Sequence, residues 1–195
     1  MQLSSAILTS WLISSAIAAP ASIESRAPQA CFIVGNSVLP QEVIDSVNQV
    51  QPDVTCDTSR KTIANVPDVI SGALRFSSIN FSQSKESLLS FALATFKTAA
   101  AGSLAKTDLA TLQDQLNVYI ATQAGVRSGT TSPAAIKIPT FFLQFQKARV
   151  QTAQGIKITN PSDTVEHQLG KVLKNAAGDS QAVLDQVMAL SKVLT

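Results

Sequence analysis

Histidine is almost missing from this chain: His167 is the one imidazole in 195 residues. Cysteine is nearly as scarce, with only Cys31 and Cys56. Together they leave too few soft ligands for a zinc site, and no C-x-x-C spacing is present for a redox pair. A Ser-His-Asp constellation would have to be built around His167. No G-x-S-x-G elbow, H-E-x-x-H helix or phosphate-cradling glycine loop occurs. Charge is thin as well. Only 14% of the residues are Asp, Glu, Lys or Arg, so Ser, Thr, Gln and Asn must cover much of the solvent-facing surface. The net charge is +2, and the basic residues are scattered singly without interleaved aromatics. Nucleic acid asks for a denser positive footprint. The expectation is therefore no catalytic residue, no metal, no cofactor and no nucleic-acid partner.

What is present begins with an apolar leader. Residues 3–19, LSSAILTSWLISSAIAA, carry no charge and exit through the small residues Ala16 and Ala18. That is the pattern of a secretory signal peptide, assigned to residues 1–19. The run is too short for a permanent spanning helix, so integral membrane association is not expected. Residues 20–26 read as a short propeptide, with Arg26 offering a second cleavage site. A single secreted domain over 27–195, about 170 residues long, then suits one core. The address is extracellular or cell wall.

An oxidising compartment suits a Cys31–Cys56 disulfide. Closing that loop is worth roughly 3.5 kcal/mol on the chain-entropy account. Asn80-Phe81-Ser82 is the one intact N-glycosylation sequon, because Pro161 blocks the one at Asn160. A glycan at Asn80 requires that residue at the surface, with Phe81 turned inward.

Hydrophobic spacing organises the rest. CFIV at 31–34 reads as strand-like, and Leu39, Val43, Val47 and Val50 mark a helix. Residues 57–84, with alternation around 73–81, read as one or two short strands or an extended arm. A helix from residue 85 places Leu88, Leu89, Ala92, Phe96 and Ala99 on one stripe. The short GSLAK link then predicts an antiparallel partner, capped by Thr107 and ended by Gly125. Residues 126–138 read as the longest polar loop, with its tip at 127–133. Pro139 opens the next helix, with Phe141, Phe142, Phe145, Ala148 and Thr152 inward and Leu143 outside that face. Asn160 with Pro161 starts another helix, and Asp179 caps the last. The fold class is mainly α: a single-domain helical bundle of about five or six helices, with a short extended or β-like N-terminal region and one disulfide.

Chemistry-bearing pairs are few. Asp163 stands one helical turn before His167, Glu42 and Asp45 share a turn, and Asp108 and Asp114 lie off a common face. Solvated helix surface accounts for each. The phenylalanines leave two alternatives open. Phe91, Phe96, Phe141, Phe142 and Phe145 either fill helix interfaces or, beside small alanines, wall a pocket for a lipid or other hydrophobic ligand.

The phrases CFIVGNSVLPQEV, NVPDVISGALRFSSINFS, FFLQFQKARVQTAQG and VEHQLGKVLKNAAGDSQAVLD give the whole mature span a resemblance to a group of small secreted proteins of filamentous ascomycete fungi. None of these phrases is a catalytic motif, so the resemblance transfers no residue roles. It implies a fungal secreted origin, with work at the cell wall or host interface. The leading functional expectation is a non-enzymatic interaction protein whose partner is an extracellular protein or wall polysaccharide. The alternatives are a binding module for a hydrophobic small molecule in an inter-helix cavity and a hydrolase with an unrecognised site.

Overall fold

The computed structural model describes residues 29–195. The expected signal peptide (1–19), the expected propeptide (20–26) and the cleavage site at Arg26 lie outside the described residues. The described residues fold as a mainly helical domain with six α-helices, a small N-terminal sheet and the Cys31–Cys56 disulfide.

Helix α1 (Gln41–Val50) starts after Pro40 and runs into a 3-10 turn that contains Pro52. It buries Val43 and Val50. The sheet is an antiparallel meander of β1 (Thr55–Lys61), β2 (Pro67–Ser71) and β3 (Leu74–Arg75). Cys56 pairs with Val69 across it, so the disulfide ties the segment around Cys31 to the sheet. The short strands expected within 57–84 are present, and two details of this region are corrected. CFIV is not a strand: Cys31 lies in a turn and Phe32 alone goes fully into the core. Around 73–81 only Leu74–Arg75 is strand, and 3-10 turns follow. The strand that carries Cys56, TCDTSRK, is almost wholly polar and largely exposed, so hydrophobic alternation did not mark it. The buried Asp68 fixes the turn after β3 by accepting Ser77 N–H at 2.9 Å and Ser77 O–H at 2.6 Å.

The helices that follow are α2 (Leu88–Thr95), α3 (Leu109–Ser128), α4 (Ala134–Ala153), α5 (Val165–Asn175) and α6 (Gln181–Ser191). Helix α2 is short. It stops at Phe96, leaving Ala99 beyond the helix, and packs on α4. The expected α2–α3 hairpin is therefore corrected: α2 packs on α4 instead, and the connection closes on itself, with the Ala99 N–H bonded to Thr107 Oγ1. That use of Thr107 leaves Asp108 to cap α3. Gly125 does not end α3. It lies inside the helix because a Cβ there would collide with the Phe32 carbonyl and with Val66. The expected 126–138 loop shrinks to residues 129–133, which makes α3 and α4 an antiparallel pair.

Helix α4 is central, touching α2, α3 and α5. Coverage from several sides explains why Leu143 is fully buried, whereas Thr152 near the helix end is exposed. Pro139 sits inside α4 rather than in its first turn. The α5 start is split: Asn160 caps a 3-10 turn and Thr164 caps the helix. Ser180, not Asp179, precedes α6.

Arg149 of α4 is 1% exposed. Its Nε donates to Leu190 O at 2.7 Å and its Nη2 to Val193 O at 2.9 Å. Nη1 donates to Gln146 Oε1, and Gln146 Nε2 in turn donates to Phe96 O at 2.9 Å. The guanidinium lies 5.7 Å from the centre of the Phe145 ring. Burial pushes its pKa down to about 10, well above neutrality, so the group stays charged.

Arg149→Met leaves two carbonyls without these donors and is expected to cost about 2–4 kcal/mol. Chemical denaturation should show that loss, with hydrogen-exchange protection falling first in residues 181–195. The Cys31→Ala, Cys56→Ala double variant is expected to lose roughly 3.5 kcal/mol. Exchange should then rise mainly in residues 31–84; unchanged exchange there would overturn a folding role for the disulfide.

Candidate ligand groove

Each helix of the α3–α4 pair turns a polar stripe to the same side. On α3 it contains Gln113, Asn117, Gln123 and Arg127; on α4 it contains Lys137, Gln144, Lys147 and Gln151. The spacings follow the helical period. Helix α1 borders this side through Glu42, Ser46 and Gln49, and the segment from Asn160 to Lys171 borders it opposite. Two cavities of about 380 and 340 Å³ result, and they meet at Ser46, Ile120 and Gln144. Together they make one groove.

The inner half holds Asp53, Asp163 and Lys147 among carboxamides. Lys147 Nζ donates to Gln113 Oε1 at 2.6 Å. Burial lowers the Lys147 pKa, and the Asp163 charge partly opposes that shift. Gln168 is 3% exposed. Its Nε2 donates to Ser162 O at 2.8 Å, while its Oε1 is buried without a partner. Gln144 Oε1 and Gln123 Oε1 are also buried and unpartnered. The outer half gathers Arg127, Lys137 and Lys171, all partly buried, against the single acid Glu42. Arg127 Nη1 lies 3.9 Å from Glu42 Oε1. Phe141 lines this half, with Lys171 Nζ 5.7 Å from its ring centre.

The residues singled out from sequence scatter. Phe96, Phe142 and Phe145 are fully buried and line neither half of the groove. Phe96 packs edge-on against Tyr119 and Phe91, with ring centres 5.4 and 6.0 Å away. Phe142 and Phe145 contact each other at 6.0 Å. Only Phe141 reaches the groove. Asn80 is half-exposed, its Oδ1 accepting the Ser82 N–H at 3.0 Å, and Phe81 is buried. Cys31 and Cys56 line neither half. His167 is exposed and does not line the groove, although Asp163 does. Asp45 accepts a bond from Gln41, Asp108 caps α3, and Asp114 accepts from Ser71. Among the described residues, no group of three or more His, Cys, Asp or Glu side chains is placed to hold a metal ion. None of the described helices is long and apolar enough to cross a membrane.

Sequence reasoning missed Lys147, Asp53 and the carboxamides. Their one signal was Gln144, Lys147 and Gln151 at i, i+3 and i+7, which reads as an ordinary solvent face until α1 and α5 close over its sides.

Residues 33–195 match a family described as "Domain of unknown function (DUF7143)". That span includes every groove residue. No curated protein and no solved structure matches the chain.

The lowered Lys147 pKa has a definite sign in stability. Between the lowered value and the ordinary lysine value of about 10.4 the unfolded chain holds the proton that the folded chain has released. Lys147 therefore makes stability rise with pH through that alkaline window. Denaturation curves from about pH 8 to about pH 11 should show this rise, and Lys147→Met should flatten its share of it.

Proposed function

The chain belongs to the DUF7143 family, and we propose that it is a non-catalytic binding protein that works outside the cell, at the fungal cell surface or the host interface, with the α3–α4 groove as its ligand site. The carrying observation is Gln168, nearly inaccessible to solvent, with one end of its carboxamide bonded and the other unpartnered at the groove wall. A buried acceptor left unpaired costs about 1–3 kcal/mol. Three such acceptors in one groove favour completion by donors from a bound partner.

Export rests on the leader at residues 1–19 and on the disulfide, which suits an oxidising compartment. Glycosylation is compatible with the local geometry. The Asn80 cap uses Oδ1, whereas a glycan attaches through Nδ2. The hydrophobic-ligand reading has less support, because Phe96, Phe142 and Phe145 are spent on interior packing. A hydrolase centred on His167 has less support, because that side chain is exposed and does not line the groove.

Protein recovered from culture fluid should begin at Pro20 or Ala27. It should also lose mass on glycosidase treatment unless Asn80→Gln has been introduced. In a pull-down against isolated cell wall and extracellular protein, Gln144→Leu, which removes an unpartnered carboxamide oxygen shared by both halves, should reduce retention about tenfold with its denaturation midpoint largely kept. Undiminished retention would remove the groove from the proposal.

A further inference from the structure

The two halves of the groove ask for different groups on one ligand. The inner half needs donors. Gln144 Oε1 and Gln168 Oε1 are buried acceptors without partners, and the carboxylate oxygens of Asp53 and Asp163 add further acceptors. A phosphate brings its few O–H groups on an anion that Asp53 and Asp163 repel, and a carboxylate or sulfate has no proton to give these acceptors. Hydroxyl groups do, and each hydroxyl also accepts, which suits the carboxamide N–H groups and the ammonium of Lys147. An extended peptide serves this half less well. It offers one N–H per about 3.4 Å, alternately to either side, whereas successive sugar carbons each carry a hydroxyl.

The outer half needs an acceptor with charge, beside one further donor for Gln123 Oε1. Arg127, Lys137 and Lys171 converge there, and Glu42, with a side chain 78% exposed and 3.9 Å from Arg127, offsets only one of them. Partly buried cations are screened less than surface ones and bind a carboxylate correspondingly better. Phe141 and Ile120 add the apolar surface on which the C–H face of a sugar ring rests. From Gln113 to Arg127 the α3 wall is about 21 Å long, at 1.5 Å per residue. That length suits a short chain and exceeds a single ring.

We infer that the groove binds an acidic oligosaccharide laid along α3 and α4, its hydroxyls on the carboxamides of the inner half and a uronate carboxylate at Lys137 and Lys171. This rests on the groove being the ligand site.

The test is a nitrogen-15 NMR titration of the secreted protein with three probes of matched length: tetragalacturonate, cellotetraose and a tetraglutamate peptide. Tetragalacturonate should shift the side-chain amides of Gln144 and Gln168 and bind at least about tenfold tighter than cellotetraose. The Lys137→Gln, Lys171→Gln double variant should keep its melting temperature and lose that preference. Raising the salt concentration should erode the preference in the unmodified protein. Equal affinity for the neutral and acidic sugars overturns the inference, as does no groove shift with either sugar at millimolar concentration. If the peptide shifts the groove amides and the sugars do not, the ligand class falls while the groove stands. If a ligand from wall extract shifts only residues outside the groove, both fall.

Discussion

Arg149 brings a permanent charge into the interior and finds there two main-chain carbonyls, a carboxamide and an aromatic face. A buried cation is tolerated only if its donors are occupied. Here they are occupied by pieces of structure far apart in the chain. Leu190 and Val193 bring in α6 and the residues after it. Gln146, itself bonded to the Phe96 carbonyl, brings in the end of α2. One side chain thereby links α4 directly to the end of α6 and, through Gln146, to the cap of α2.

The opposite side of α4 is left for other work. Phe142, Phe145, Gln146 and Arg149 point into the core, and Gln144, Lys147 and Gln151 lie about half a turn away. With the inner side anchored, the outer side becomes a rigid wall. Helix α3 supplies the facing wall, held against the sheet by Gly125, which has room for no side chain. The disulfide holds the front of the chain to the sheet, and α1 packs beside α3 to close one edge. A groove built on helices anchored in this way presents its polar groups in a fixed geometry, which lowers the entropy lost on binding.

Several features were legible along the chain. Apolar periodicity marked the helices through Val43, Leu89, Leu116, Phe142 and Val172, all of which the fold buries or nearly buries. The two cysteines stated their own pairing. Caps and boundaries were less legible, because Thr107 and Gly125 have local meanings that distant partners overrode. Thr107 spends its hydroxyl on Ala99, and Gly125 serves close packing and not helix ending. Strand β1 falls largely within the stretch expected to be extended, but its start was hidden, because its order comes from pairing with β2 and not from an apolar face of its own. The groove was hidden for a related reason. A carboxamide on a helix looks the same in sequence whether it faces bulk water or a cleft.

By itself, then, the sequence determined a mainly helical chain with one disulfide, because hydrophobic period and cysteine count act locally or without rivals. Only the tertiary structure decided which phenylalanines vanish into the core, that Arg149 joins them, and that Gln144, Lys147 and Gln168 share one groove. Those outcomes depend on which helix covers which face. That choice is made by the summed burial of the whole core, to which no single stretch of chain contributes enough to announce it.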